Sequence, residues 1–489
     1  MTSFLTLFVS SLLVAHAASQ SPPIVVTPSG PIRGVVVPAL GQDVIQFRNI
    51  PYAKPPIGEL RFRKPEPIKP WTKPLDGTAF GPSCVQFKDL LEGVWERLEN
   101  QELSEDCLQL NVYVPRAIST SEKKAVMVYI HGGSFLIGQA AADDPSFLAL
   151  KDVIVVSINY RLGIFGFLST GDDVIKGNFA IWDMIESLKW INRNIAAFGG
   201  DPDKVTIFGE SAGGLLTECF QKKTADELLE VQMDPTLNEP IDSLRDPNSD
   251  VSVFFRSLDV IAGTTSNEGS LTTYMFAEHQ ESMQFDMEQG LPTPVLCDVL
   301  GPAVARDMYG DESLSDAICK EYSSDDLLQQ SKNINYLYAE SCFVAPALQL
   351  VEFHAQDRTS SNTYHYVYSQ ELSFTFLFPI PAWIDGMGAG HGMELPYMFG
   401  PASQNDESLA TDEGREFTDV LVSYWTNFAK TGNPNGGSLV PWEQFSSTSR
   451  DYLELTFKPV QGQNLFEKRM NFLLHELPNI HNNKAKTEL

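Results

Sequence analysis

The chain has 489 residues, of which 43% are apolar and 11% aromatic, enough to bury a large core as one big α/β domain or two ordinary ones. Its 63 acidic residues outnumber its 35 basic residues, and the formal charge of −28 repels phosphate backbones and anionic lipid surfaces. The composition therefore excludes a disordered chain and argues against nucleic acid as a partner.

The N-terminal segment has the features of a secretory signal. An apolar run from Phe4 to Ala15 leads into Ala15-His16-Ala17, which fits a cleavage site of small residues. This run is shorter than the roughly 20 residues of a membrane span, and no other run in the sequence approaches that length. We predict a signal peptide at residues 1–17, a single domain at residues 18–489, and no membrane span.

The last four residues resemble a retention signal. Lys486-Thr487-Glu488-Leu489 resembles the KDEL type of signal that a retention receptor reads, although its second position differs, and a solvated tail is the alternative. The sequence predicts the secretory pathway, with the chain either retained in the endoplasmic reticulum lumen or secreted.

Six cysteines are present, and in an oxidising compartment disulfides are expected before metal sites. They are Cys84, Cys107, Cys219, Cys297, Cys319 and Cys342. The sequence contains no C-x-x-C or H-E-x-x-H spacing and no G-x-G-x-x-G or Walker loop, so we predict neither a metal nor a cofactor.

The pattern of apolar runs predicts an α/β fold. Short Val/Ile-rich runs broken by Pro and Gly between residues 23 and 53 indicate a small antiparallel meander. Continuous apolar runs, typical of strands covered on both faces, occur at residues 125–130, 153–158, 205–208 and 258–262. Apolar residues at helical spacing over 180–195, ended by Gly199-Gly200, predict a helix between two of them. We expect a large, mainly parallel central sheet with helices on both faces.

A serine follows one of these strands directly. Gly209-Glu210-Ser211-Ala212-Gly213 has the G-x-S-x-G pattern and stands between the predicted strand at 205–208 and a helix. In that context the serine lies on a strained turn that lifts its hydroxyl above the sheet edge, and a Cβ at either glycine would collide across the turn. The pattern predicts that Ser211 is a nucleophile.

A serine hydroxyl needs donors for the oxyanion, a base and an orienting acid. In "YIHGGSF", Gly132 and Gly133 can turn backbone N–H groups toward a developing negative charge, together with the N–H of Ala212. A β-turn without function also favours two glycines. We predict an oxyanion hole at these three residues.

The base and the acid follow from chain order, which is Ser, then Asp or Glu, then His. His391 lies in the glycine-rich loop "GMGAGHGMELPY", whereas His365 alternates within a strand-like run. Glu268 follows the core strand at 258–262 by a few residues, where catalytic groups gather in open α/β sheets, although a solvated carboxylate is the alternative there. We predict that His391 is the base and Glu268 the acid.

Longer motifs carry a resemblance to a known family. They are "FRNIPYAKPPIGELRFRKPEP", "SEDCLQLNVYVP", "HGGSF", "INYRLGIFGFLST", "GNFAIWDMIESLKWINRNIAAFGGDPDKVTIFGESAGG", "AGTTSNEGS", "GHGMELPYMFG" and "YWTNFAKTGNPN". Through them, most of residues 25–457 resembles a type-B carboxylesterase of the cholinesterase-like family. The resemblance implies an α/β-hydrolase fold, the triad and oxyanion hole named above, and a disulfide between Cys84 and Cys107.

The sequence departs from that family in two places. Ser134 stands where many relatives have a third glycine, which leaves the two donor positions intact. The second departure is large, because relatives continue for several dozen residues between the nucleophile and the segment matched here by "CFQKK", residues 219–223. That stretch carries the rest of a helix and a core strand, and the family partner of Cys219. We predict an internal deletion after the nucleophile and a free or mispaired thiol at Cys219.

Local features of the sequence also indicate that a segment is missing after Ser211. Thr224-Ala225-Asp226-Glu227 has the form of a capping box and predicts that a new helix starts there. Only about twelve residues separate Ser211 from this helix, and they are too few for both a parallel crossover and a strand. The run at 251–255 can only extend the strand at 258–262, because two residues separate them. We predict that one core strand is missing.

The missing strand predicts a displacement of the acid. Glu268 would shift by about one strand spacing, roughly 4.8 Å, and hydrogen bonds within a triad need about 2.6–3.2 Å. The sheet then has to close the gap by re-pairing, or catalysis is impaired.

Three functions are consistent with these residues. The first is an active serine hydrolase of carboxylic esters, the second an impaired splice or gene-model variant of the same enzyme, and the third a non-enzymatic cholinesterase-like adhesion protein. The complete Ser, Glu and His set favours the first two. Trp95 could present a cation-binding face, but a packed or exposed tryptophan is the simpler interpretation. We expect a small-molecule ester as substrate.

Overall fold

The computed structural model describes residues 22–87, 102–115, 118, 121–172, 174–215, 255–273, 281, 289–356, 361–372, 387–400 and 411–487. The strands are β1 Ile24–Thr27, β2 Gly30–Arg33, β3 Val35–Ala39, β4 Gln42–Pro51, β5 Leu75–Asp76, β6 Ser83–Cys84, β7 Leu103–Ser104, β8 Gln109–Pro115, β9 Lys124–Ile130, β10 Ile154–Ile158, β11 Gly200–Gly209, β12 Val260–Thr265, β13 Thr363–Tyr368, β14 Asp451–Leu455 and β15 Val460–Gln463. The α-helices are α1 Ser146–Ala149, α2 Gly163–Phe167, α3 Phe179–Asn194, α4 Gly301–Tyr309, α5 Ser315–Tyr322, α6 Leu327–Ala339, α7 Ala345–His354, α8 Leu395–Met398, α9 Asp412–Thr431, α10 Glu467–Asn471 and α11 Leu477–Thr487. Short 3₁₀ or π turns lie at Gly58–Leu60, Ile195–Phe198, Val295–Leu300, Glu312–Leu314, Glu340–Val344 and Phe472–Glu476.

Two sheets form the centre of the fold. The first has six strands in the order β11-β9-β10-β8-β4-β3, of which β11, β9 and β10 are parallel and the rest antiparallel. The second has the order β12-β13-β14-β15, parallel except for the last pair. The parallel pairs that the apolar runs predict thus lie at one end of each sheet, where β11 and β12 are the terminal strands, and antiparallel pairs form the other end.

Burial explains why these runs form inner strands. Every residue of β8 and β10 is buried, and β9 is buried except at its first residue, as expected for strands with side chains packed on both faces. Helix α3 buries one side against the same core through Met184, Ile185, Trp190 and Ile191. The chain leaves this helical segment at Gly199, whose φ of 88° is left-handed, and enters β11.

The N-terminal meander divides between two sheets. β1 and β2 form an antiparallel hairpin that adds β5 in parallel, whereas β3 and β4 join the six-stranded sheet. Local sequence predicts the hairpins, but the sheet that each one joins depends on distant partners.

Two disulfides are present in the described part of the chain. Cys84–Cys107, implied by the family resemblance, closes a 23-residue separation, and both cysteines are buried. Cys297–Cys319, whose pairing was left open, joins the segment before α4 to α5. Cys342 is free.

We expect the Cys84–Cys107 bridge to stabilise the fold measurably. Closing a loop of this length contributes about 3 kcal/mol by restricting the unfolded chain. At about 2.1 cal/mol/K of unfolding entropy per residue, the double variant Cys84→Ser/Cys107→Ser should lower the thermal midpoint by about 3 °C. Differential scanning calorimetry measures it. The matching variant at Cys297 and Cys319, with a 22-residue separation, should lose a similar amount, and an unchanged midpoint in the first variant would contradict the prediction.

Several predicted features lie outside the described residues. They are the signal segment at residues 1–17, Trp95, Cys219, the capping box at 224–227, and Glu488 and Leu489 at the C-terminal end. Within the described part, no helix has the length and apolarity needed to cross a membrane.

The run at 251–255 ends at Phe255, and this residue does not belong to β12. Phe255 lies in a helical turn with its ring stacked on Phe353, and β12 begins at Val260. The run, which at best could extend this strand, therefore does not do so at Phe255.

Candidate active site

The strand β11 ends in a tight turn that carries Ser211. The serine has φ 53°, in the left-handed region, and the N–H of Gly213 donates to the carbonyl of Glu210 at 2.8 Å. A Cβ on Gly209 would lie 2.5 Å from the carbonyl carbon of Gly213, and a Cβ on Gly213 would lie 2.0 Å from the carbonyl oxygen of Ile130. Gly209 is thus required by contact across the turn and Gly213 by the close approach of β9, and the strained backbone presents the hydroxyl at the sheet edge.

The three residues predicted to act together are in contact. Nε2 of His391 lies 3.0 Å from Oγ of Ser211, and Nδ1 lies 2.5 Å from Oε2 of Glu268. The second glutamate oxygen, Oε1, accepts from the N–H of Thr265 at 2.6 Å. With the proton on Nδ1, the imidazole donates to the carboxylate and its Nε2 can accept from the serine hydroxyl.

The expected displacement of Glu268 is not found. Among the described residues β11 and β12 do not pair with each other, and the hydrogen-bond distances are those of an assembled triad. The predicted shift of Glu268 is therefore wrong, while the missing strand itself stays a prediction.

The reason is that the loop of Glu268 and the loop of His391 are hydrogen-bonded directly to each other. The N–H of Asn267 donates to the carbonyl of Ala389 at 2.8 Å, and the N–H of Ala389 donates to Oγ of Ser266 at 2.9 Å. The N–H of His391 itself donates to Oγ of Ser270 at 3.1 Å. These bonds fix Glu268 relative to His391 without any contribution from β11.

The predicted oxyanion donors lie beside the serine. A Cβ on Gly132 would be 3.1 Å from Cβ of Ser211, so the backbone of this loop passes directly next to the nucleophile. Gly133 has φ 102°, a conformation suited to glycine, and its carbonyl accepts from the N–H groups of Leu136 and Ile137 at 3.0 Å. Among the described residues, the N–H groups of Gly132, Gly133 and Ala212 have no acceptor, so they are available to an oxyanion.

His131 supports this loop and was not singled out from the sequence. Its ring is buried and stacked on Tyr160, with centroids 4.4 Å apart, and its Nδ1 lies 2.8 Å from the carbonyl oxygen of Gly132. Burial lowers the pKa of His131 to about 4, so the ring is neutral. With its proton on Nδ1 the ring fixes the Gly132–Gly133 peptide, whose N–H belongs to Gly133.

Two further carboxyl groups surround the base, and sequence analysis missed both. Oε1 of Glu210 lies 3.2 Å from Nε2 of His391, where the negative charge of the carboxylate favours a proton on that nitrogen. Burial raises the pKa of Glu394 to about 8, with contributions from the charges of Glu210 and Glu268. Glu210 is the second residue of the G-x-S-x-G motif and Glu394 follows His391 by three residues, so proximity in sequence to a predicted site residue is the signal that could have found them.

The carboxylates of Glu210 and Glu268 determine the charge of His391. Burial of the ring disfavours imidazolium, but the charges of Glu210 and Glu268 outweigh it and raise the pKa of His391. Since His391 must be neutral to accept a proton, activity is lost as the pH falls through that raised pKa.

We expect Glu210→Gln to extend activity to lower pH. Removing the charge at 3.2 Å from Nε2 lowers the pKa of His391, so the acid limb of the kcat/KM profile should move down by at least about one unit, equivalent to about 1.4 kcal/mol. Burial and the neighbouring carboxylates place the pKa of His391 at about 10, so initial rates of p-nitrophenyl acetate hydrolysis, corrected for the uncatalysed reaction, should be measured from about pH 5 to 11. An acid limb that stays in place or moves to higher pH would show that Glu210 does not act on the base.

Comparison with known proteins agrees with this geometry. The model of the carboxylesterase family matches the chain over residues 21–221 and 215–473, and its two segments meet just after Ser211. The pyrethroid hydrolase Ces2e of Rattus norvegicus is 32% identical over 93% of this chain and 90% of its own length. The cocaine esterase of Homo sapiens is 30% identical over 96% and 94%, and the medium-chain fatty acyl-CoA hydrolase precursor of Anas platyrhynchos is 31% identical over 94% and 93%.

The alignments also contain unmatched positions. The alignment with the rat protein extends over 527 positions while including 93% of the 489 residues of this chain, so several dozen positions of that relative face gaps. The predicted location of a deletion after the nucleophile stays a prediction. The motifs, the fold and the matched length together lead to one assignment: the chain belongs to the carboxylesterase family and has its α/β-hydrolase fold.

Proposed function

We propose that this chain hydrolyses carboxylic esters through an acyl-enzyme on Ser211. The observation that carries the proposal is the position of His391, whose two ring nitrogens lie within hydrogen-bond distance of Ser211 and Glu268. Membership of the carboxylesterase family supports the same reaction.

In the first half of the reaction, Nε2 of His391 takes the proton of Ser211 while Oγ attacks the ester carbonyl carbon. The carbonyl oxygen becomes an oxyanion, which the N–H groups of Gly132, Gly133 and Ala212 stabilise. When the intermediate collapses, the bond to the alcohol breaks and the leaving oxygen takes the proton from Nε2, leaving the acyl group on Oγ.

In the second half, water replaces the alcohol. His391 accepts a proton from the water as it attacks the acyl carbon, and returns a proton to Oγ as the acid leaves. Glu268 holds the ring by its bond to Nδ1 and stabilises the imidazolium in both halves.

The substrate class is carboxylic esters in general. The relatives carry names for the hydrolysis of a pyrethroid, of cocaine and of a fatty acyl-CoA, the last of which is a thioester, and this diversity supports a broad choice of acyl and leaving groups. The experiment is a stopped-flow assay with p-nitrophenyl acetate. A burst of p-nitrophenol equal to the enzyme concentration, and a mass increase of one acetyl group on the peptide containing Ser211, are expected. Absence of turnover in pure, folded protein would instead favour the impaired variant.

We also propose a route through the secretory pathway. The apolar run that ends at Ala15-His16-Ala17 and the two disulfides support removal of residues 1–17 and maturation in an oxidising compartment. The C-terminal Lys-Thr-Glu-Leu supports recognition by a retention receptor. N-terminal sequencing of the protein from eukaryotic cells should begin at residue 18, and removing the last four residues should increase the secreted fraction. An intact N-terminus, or an unchanged secreted fraction, would overturn the corresponding half of this proposal.

A further inference from the structure

The loop that carries the predicted oxyanion donors has a strained backbone. It follows β9 and comprises residues 132–138, which we call the oxyanion loop. Gly133 has φ 102°, and the next two residues, Ser134 and Phe135, are also left-handed, with φ 54° and 62°. A residue with a Cβ disfavours this region, so the loop keeps its shape only where surrounding contacts hold it. Those contacts therefore decide where the N–H groups of the loop point.

The oxyanion loop closes on its own beginning at Gly138. This glycine has φ 121°, and a Cβ there would lie 2.2 Å from Nδ1 of His131 and 2.7 Å from the carbonyl oxygen of Gly132. The backbone of Gly138 thus packs directly against the ring and the carbonyl, which are themselves 2.8 Å apart. That carbonyl belongs to the peptide whose N–H is the donor of Gly133. A displacement of Gly138 is therefore passed directly to one of the oxyanion donors.

Gly138 is held by a side chain from a distant segment. Oε1 of Gln86 accepts from the N–H of Gly138 at 2.8 Å, and Nε2 of Gln86 donates to the carbonyl of Gly138 at 2.9 Å. The two bonds join residues that are 52 positions apart in the chain. One amide thus satisfies both backbone polar groups of Gly138, as a strand partner would, and these bonds fix which end of the amide carries the oxygen.

The segment that carries Gln86 is itself fixed. Nε2 of Gln86 also donates to the carbonyl of Cys84 at 3.0 Å, and Cys84 is buried and bridged to Cys107. Beside it, Oγ of Ser83 donates to Oε1 of Gln139, the residue that follows the oxyanion loop, at 2.5 Å. Gln86 therefore connects the oxyanion loop to a segment that a disulfide anchors.

We propose that Gln86 is a positioning residue for the oxyanion hole. Its amide holds Gly138, and Gly138 holds the peptide between Gly132 and Gly133 in the position that a developing oxyanion needs. An oxyanion donor has to lie about 2.7–3.1 Å from that oxygen, and a displacement of about 1 Å can cost about 10²-fold in rate. The inference rests on the proposed ester hydrolysis and concerns how its transition state is stabilised.

Gln86→Met tests the proposal, because methionine is unbranched and of similar length but forms none of the three amide hydrogen bonds. Both halves of the reaction form an oxyanion, so kcat for p-nitrophenyl acetate should fall by about 10–100-fold while KM stays within about twofold. Steady-state rates measure both constants. A merely structural role would lower the thermal midpoint and leave kcat of the folded protein unchanged.

A transition-state analogue gives a second readout. With octyl trifluoromethyl ketone, Oγ of Ser211 bonds to the carbonyl carbon, its proton passes to Nε2 of His391, and the carbonyl oxygen becomes an oxyanion in the hole. The inhibition constant for Gln86→Met should rise by the same factor as kcat/KM falls, because both quantities depend on the stabilised oxyanion.

Two further variants complete the design. Gln86→Glu keeps the side-chain length and the acceptor for the N–H of Gly138 but loses both donors, so kcat should fall at least about fivefold, and this variant decides the case if Gln86→Met does not fold. Gln444→Met is the matched control. Gln444 is half-buried, and its Nε2 donates to Oδ1 of Asn362 at the amino end of β13, whereas Glu268 follows the carboxyl end of the parallel strand β12. It should keep the parental kcat, KM and inhibition constant.

Several results would contradict this role of Gln86. An unchanged kcat and inhibition constant in folded Gln86→Met, or a rise in KM alone, would overturn the proposal, as would an equal loss in Gln444→Met. Circular dichroism shows whether each variant is folded. A parent protein without ester turnover would overturn the proposed function and this inference with it, whereas an active parent with an unaffected Gln86→Met would overturn this inference alone.

Discussion

Substitution of Ser211 by alanine is expected to lower kcat for ester hydrolysis by up to about 10⁶-fold. The hydroxyl is the atom that bonds to the acyl group, and no other side chain can take its place at the end of β11, where the turn brings it 3.0 Å from Nε2 of His391. The activity that remains should come from the oxyanion donors and substrate binding alone. Steady-state rates with p-nitrophenyl acetate measure the effect.

An exposed serine provides the control for this variant. Ser169→Ala removes a hydroxyl in a surface turn away from the triad and should retain the parental rate. Far-UV circular dichroism of both variants should match the parent, because neither hydroxyl supports the core. Activity of Ser211→Ala within tenfold of the parent would contradict the assignment of the nucleophile.

Glu268→Gln is expected to lower kcat by about 10⁴-fold while preserving the fold. The amide oxygen will face the N–H of Thr265, which donates to Oε1 in the parent, so the amide NH₂ is directed at Nδ1 of His391. Nδ1 must then accept a hydrogen bond, which moves the ring proton to Nε2. In that tautomer the ring cannot accept the proton of Ser211.

Glu394→Gln is the matched control. Because the pKa of Glu394 is raised to about 8, its carboxyl is mostly neutral at pH 7, and a glutamine reproduces its size and charge there. We expect kcat at pH 7 to change by less than about tenfold. Equal losses in the two variants would show that Glu268 has no special relation to the ring.

The elements that carry the chemistry could be predicted from local sequence. The G-x-S-x-G turn is recognisable from five neighbouring residues, although the close approach at Gly213 is to Ile130 of β9 rather than to another residue of the turn. Chain order and a glycine-rich loop identified His391, and position after a core strand identified Glu268. Apart from chain order, which spans the 180 residues from Ser211 to His391, each of these signals lies within about ten residues of the group that it identifies.

Other features depend on packing between distant segments. The Cys297–Cys319 pairing follows from the approach of two helical segments, and spacing along the chain does not select it. The influence of Glu210 and Glu394 on His391 arises from burial of all three in one cluster. Burial and through-space charge cannot be read from a pattern of residues.

The wrong prediction for the position of Glu268 also arises from contacts between distant segments. The prediction assumed that only the sheet positions Glu268, so that a missing strand would displace it. In the structure, hydrogen bonds through Asn267, Ala389 and Ser270 join the Glu268 loop directly to the His391 loop. Contacts between loops from different strands have no signature in the sequence of either loop.

The central claim is that Ser211 is an activated nucleophile in the assembled protein. The most direct test is labelling of the full chain with a fluorophosphonate probe, followed by mass spectrometry of its peptides. We expect one equivalent of phosphonyl group on Ser211, and no labelling of Ser211→Ala. An unlabelled parent protein, or a phosphonyl group on a different serine, would contradict the account.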